Sequence, residues 1–119
     1  MLMELDEKKK AVRKTRNKIK KLFAASLEKD QLEAMSDLID NIAFLAFALS
    51  ELRQEILETG YTEHYDNGGH QSGTKDSAAV RTYNNMAKSY NTLVKTALSM
   101  IPTQERKETK DRLADFIAN

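Results

Sequence analysis

The sequence predicts an all-α protein built on a long antiparallel helical hairpin, with a basic N-terminal helix before it and a short C-terminal helix after it. Three observations carry this expectation. Helix breakers are scarce, with one proline and four glycines in 119 residues. Two long segments repeat apolar residues at alternating spacings of three and four, the period of helices packed side by side. The residues that favour turns gather in a single stretch, residues 60–75.

The first helix is expected over about residues 4–25. Ala11, Val12, Ile19, Leu22 and Phe23 fall within an arc of about 120° at about 100° per residue, and the other faces are basic. Asp30, with Glu33 three residues on, reads as a capping box opening a second helix that stops at Gly60. In that helix Met35, Leu38, Ile42, Leu45, Leu49, Leu52 and Ile56 form an unbroken heptad stripe. Ile39, Ala43 and Ala46 widen it, and Phe44, Phe47 and Ala48 carry it round the back, so the middle of the helix is apolar on every side and needs cover all round.

The interruption holds Gly60, Asn67, Gly68, Gly69 and Gly73, and Asp66-Asn67-Gly68 fits a hairpin turn whose flanking strands the pattern leaves open. Asp76 or Ser77 caps a third helix that ends at Pro102, with Ala79, Tyr83, Met86, Tyr90, Leu93, Ala97 and Met100 as its stripe. Thr103 caps a short fourth helix in which Leu113, Phe116 and Ile117 form a small apolar patch, a candidate partner-binding surface. Three regions follow: a basic arm over 1–26, a hairpin for oligomerisation over 27–102 with its loop at 60–75, and a C-terminal helix or tail over 103–119.

Cover for Phe44 and Phe47 comes either from the first and fourth helices, giving a monomeric bundle, or from another copy of the chain. A domain of this size buries only about two-thirds of its surface, which favours self-association through Ile42, Phe44, Leu45, Phe47, Leu49 and Leu52.

Net charge is +1, but the charges are segregated. Residues 1–26 hold nine bases and three acids, and residues 27–60 hold two bases and eight acids. Lys8, Lys9, Lys10, Arg13, Lys14, Arg16, Lys18, Lys20 and Lys21 follow one another with no acid among them. A basic helix of this kind can neutralise DNA phosphates. It can also pair with the acids of the second helix, Glu33, Asp37, Asp40, Glu51, Glu55 and Glu58, or lie on a membrane surface. Arg81, Lys88 and Lys95 recur every seven residues on the polar face of the third helix as secondary DNA-binding candidates.

Other functions find little support. With no cysteine there is no disulfide framework or thiolate site, and His64 and His70 lie in the loop at no metal-binding spacing. No phosphate loop or nucleophile elbow is present, so neither a cofactor nor an active site is expected. The longest apolar run, Ile42 to Leu49, is far short of the roughly 20 residues that span a bilayer, and the charged start has no signal-like apolar region. A cytoplasmic protein is expected.

One resemblance adds to this. An acidic-apolar helix ending in Glu58-Thr59-Gly60 leads to a loop with Asn67-Gly68-Gly69 and Gln71-Ser72-Gly73. A capped restart follows at Asp76-Ser77-Ala78, and the next long helix closes on Ile101-Pro102. Over residues 31–102 this order resembles the small terminase subunits of tailed bacteriophages. Asp76-Ser77 stands where that family usually has Asn-Pro, and Asp caps a helix as Asn does. The resemblance implies a ring-like homo-oligomer without catalysis of its own. Such a factor recognises double-stranded viral DNA in the host cytoplasm and recruits the large terminase subunit, an ATPase and nuclease, for packaging.

Overall fold

A computed structural model describes the backbone of residues 4–118 and the side chains of residues 4–116. Five helices and one two-stranded sheet follow one another: α1 (Leu5–Ala24), α2 (Lys29–Ala34), α3 (Ser36–Thr59), β1 (Thr62–Asp66), β2 (Ser72–Asp76), α4 (Ala78–Leu98) and α5 (Arg106–Ala118). A single 3-10 turn, Thr103–Glu105, precedes α5.

The expected hairpin is α3 against α4. Its seam is the pair of apolar stripes: Ile39, Ile42, Ala46 and Leu49 from α3 meet Tyr90, Val94, Ala97 and Leu98 from α4. Ile19 and Phe23 of α1, together with Leu113 of α5, close the same core from the other sides. Because α1 and α5 both pack on the hairpin, most of the apolar girth of α3 is covered within one chain. Helix α1 runs antiparallel to α3, as Lys8 lies 2.9 Å from Glu51 and Arg16 lies 3.8 Å from Asp40.

Three expectations about helix ends and continuity are corrected. The long second helix is broken at Met35, whose φ of −89° and ψ of 2° leave the helical region, so a six-residue α2 precedes α3. No proline or glycine marks the break; Met35 is itself buried, and the ladder resumes with Ile39 N–H donating to the Met35 carbonyl at 2.9 Å. The capping box is formed by Glu28 and Gln31 rather than Asp30 and Glu33, with Glu28 N–H donating to Gln31 Oε1 at 3.0 Å. A glutamine closes such a box as well as a glutamate does. At the last helix, Pro102 rather than Thr103 takes the cap position of the 3-10 turn, and the α-helix begins only at Arg106.

The glycine-rich interruption is a β-hairpin, so the fold is all-α in its body but not throughout. Strands β1 and β2 pair antiparallel, with His64 opposite Thr74 and Tyr65 opposite Gly73. The chain reverses at Gly69 and His70, whose φ values of 55° and 69° form a turn closed by Gln71 N–H on the Gly68 carbonyl at 2.9 Å. Asp66 Oδ1 accepts from Gly68 N–H at 2.8 Å, fixing the approach to the turn. The ring of Tyr65 lies over Gly73, where a Cβ would come within 3.1 Å of the Tyr65 hydroxyl oxygen. Glu63 receives Lys75 and Arg81, each at 3.6 Å, and Arg81 also donates to the Asp76 carbonyl, joining the sheet to the start of α4. Ser77 caps α4 by accepting from Val80 N–H at 3.2 Å.

Candidate nucleic-acid interface

Helix α1 presents two different basic surfaces. Its periodicity sends Ile19 and Phe23 into the core, and the side chains one turn away on the α3 side reach carboxylates. Lys8 and Arg16 belong to this inner side, paired with Glu51 and Asp40, and all four are partly exposed. Lys9 and Arg13 lie at the edge of the same groove, Arg13 bordering the outer side as well.

The opposite side of α1 is different. Lys10, Arg13, Lys14, Asn17, Lys18 and Lys21 line a shallow concavity of about 410 Å³. No ion pair ties any of these five cations to another described residue. From Lys10 to Lys21 the strip is about 16 Å long at about 1.5 Å per residue. Lys18 and Lys21 also border a cleft between α1 and α5 that contains Arg112, Asp115 and Phe116. Arg112 therefore extends the strip across two helices. It stands in a mixed-charge stretch of sequence and joins the strip only because α5 packs beside α1. Lys20 is exposed outside this concavity.

The polar face of α4 offers less charge. Arg81 is held at the root of the β-hairpin, leaving Lys88 and Lys95 exposed and two turns apart. The hydroxyls of Thr92 and Thr96 donate to the carbonyls of Lys88 and Thr92, each at 3.0 Å, and Ser99 donates to that of Thr96 at 2.6 Å. These donors are spent on their own helix, which suits a solvated outer face.

The residues expected at an oligomer interface separate into two groups. Ile42 and Leu49 are 0% and 1% exposed inside this chain, and Leu45 and Leu52 are half-buried. Phe44 remains 54% exposed and Phe47 partly so. Of the C-terminal patch, Leu113 is a core residue at 1% exposure, Phe116 is half-buried against the core, and the side chain of Ile117 lies outside the described residues.

Comparison with known protein families, curated proteins and solved structures gives no match.

Among the described residues, no three His, Cys, Asp or Glu side chains gather at a common point, and no helix is long and apolar enough to cross a membrane. His64 lies on the exposed face of the hairpin and His70 in its turn. Among the described residues, two buried side-chain atoms have no hydrogen-bond partner, Glu105 Oε2 and the Tyr90 hydroxyl, and burial pushes the Tyr90 pKa up to about 12.

Proposed function

We propose that this chain is a non-catalytic, self-associating DNA-binding factor acting as a phage terminase small subunit, with α1 touching duplex DNA and the assembly presenting DNA to a large ATPase-nuclease subunit. The observation that supports this reading best is the cation strip on the outer side of α1. Unpaired surface lysines and arginines spread over about 16 Å repel one another, and a polyanion of regular charge relieves that repulsion while releasing its own counterions. The five cations of the strip make no ion pair with a described residue, which favours an external anionic partner over internal pairing.

Self-association is supported by the exposed Phe44, and the ring-like form follows from the resemblance. With Leu113 in the core, Phe116 is, among the described residues, the part of the C-terminal patch left to meet a large subunit.

A second reading, an oligomeric protein-protein adaptor that ignores nucleic acid, is favoured by the Lys8–Glu51 and Arg16–Asp40 pairs, which commit part of the basic block to α3. Fluorescence anisotropy with a labelled duplex of about 30 base pairs separates the two. The DNA-binding reading expects saturable binding at about 50 mM salt that fades steeply with added salt. Absence of binding at that ionic strength selects the adaptor.

A further inference from the structure

The groove between α1 and α3 is an exposed apolar feature of the body of the molecule. It has a volume of about 550 Å³; Leu5, Val12, Phe44, Phe47 and Ala48 form its apolar lining. Leu5 is 64% exposed and Phe44 54%, so the lining faces water. Charge is arranged in two parallel rows along it. The α1 side carries Lys9, Arg13 and Arg16, and the α3 side carries Asp40 and Glu51 at either end of the apolar centre. An acidic row flanking an apolar one is a poor surface for a phosphate backbone, so this face and the outer side of α1 call for different partners.

Resting on the self-association part of the reading above, we propose that the α1/α3 groove is closed by the same groove of a second copy, across a two-fold axis parallel to the helices. Such an axis lays α1 of each copy along α3 of the other. Lys8 sits level with Glu51, and Arg16 with Asp40, within one chain. The rotation preserves those levels, so Lys9 of one copy meets Glu51 of the other. Arg13 and Arg16 approach the other copy's Asp40, and both copies of Phe44 and Phe47 leave water together. A two-fold axis across the helices places the cationic row on its own copy and the acidic row on its own copy. Charge therefore selects the parallel axis, and it selects this same face as the partner, because the face is complementary to itself. An isologous contact consumes both copies of the patch, so larger closed assemblies built on it contain an even number of chains.

The test is absolute mass by light scattering, at about 50 μM and without DNA, on the full chain and on two charge variants, K9E/R13E and D40K/E51K. All four positions are at the surface, and circular dichroism checks that both variants stay helical. The expected result is a wild-type particle of twice the 13.5 kDa of one chain, or an even multiple of it. Each variant alone should fall to half that mass or less, and an equimolar mixture should recover it, because the acids introduced on α1 of one variant meet the bases introduced on α3 of the other, while the second half of the contact keeps its native pairs. Phe44→Ser, at a half-exposed position, should also weaken association, by about tenfold or more in the dissociation constant. If the wild type oligomerises and both charge variants keep its mass, the pairing is overturned while self-association stands. Failure of the mixture to recover the lost mass overturns the parallel arrangement. A wild type that remains a single chain at 50 μM overturns both the pairing and the self-association on which it rests.

Discussion

Replacing Lys10 and Lys14 with glutamine should damage DNA binding, and replacing Lys8 and Arg16 in the same way should not, although all four lie in one run of basic sequence. The difference comes from which side of α1 each occupies. The outer strip offers Lys10, Arg13, Lys14, Lys18 and Lys21, with Arg112 extending it on α5. If about six phosphates are neutralised, log K should fall against log salt with a slope of about −5, and a fourfold rise in salt should weaken binding by about a thousandfold. Removing Lys10 and Lys14 takes away two of those contacts, so the slope should shrink to about −3.5. Lys8 and Arg16 already face Glu51 and Asp40 at 2.9 and 3.8 Å. Their loss should leave the slope within about half a unit and cost no more than about 1 kcal/mol of stability per pair, because the pairs are solvent-exposed. Anisotropy titrations of the three proteins at four or five salt concentrations give the slopes directly. Equal loss of slope in both double variants would mean that the side of α1 does not matter, and the separation of its two faces would be wrong.

Other predictions concern the scaffold. Leu49→Ala should cost about 2–5 kcal/mol in urea unfolding, because Leu49 is buried in the seam between α3, α4 and α5, whereas Leu57→Ala on the exposed side of the same helix should stay within about 0.5 kcal/mol. Gly60 ends α3 at φ 94° and ψ 174°, a conformation nearly confined to glycine, so Gly60→Ala should destabilise by about 1–3 kcal/mol by the same measurement, even though its surroundings leave room for a methyl group. The Tyr90 phenol is raised from 10.0 to about 12 by burial, so the unfolded chain loses that proton at lower pH than the folded one. Its contribution to stability is therefore complete below pH 10 and lost as pH rises towards about 12. Tyr90→Phe should remove that alkaline loss at little or no cost in stability at pH 7, as the hydroxyl it deletes is buried without a partner.

Much of this architecture is legible in the sequence because helix packing imposes a period on it. The stripes from Met35 to Ile56 and from Ala79 to Ala97 place the seam of the hairpin. Ser77 and Gly60 mark helix ends by chemistry that few other residues supply. The break at Met35 is not legible, because a buried methionine leaves the helical region there without any breaker to announce it. Strands β1 and β2 are hidden for another reason: Thr62–Asp66 and Ser72–Asp76 are short and mostly polar, and their pairing follows from the turn at Gly69 and His70 rather than from an apolar alternation. At the candidate site the sequence identifies the basic block but not its division. Which lysine faces a carboxylate depends on how α1 is rotated against α3, and which distant residue joins the strip depends on where α5 returns. Lys8 and Lys10 are two residues apart in the chain and on different sides of the helix.

The most direct test of the outer strip as the DNA contact is amine footprinting: acetylation of lysines with and without bound duplex at low salt, quantified residue by residue by mass spectrometry. Bound DNA should protect Lys10, Lys14, Lys18 and Lys21 while Lys88 and Lys95 on α4 react as before. Protection confined to Lys88 and Lys95, or unchanged reactivity along α1 in a complex shown to be saturated, would contradict it.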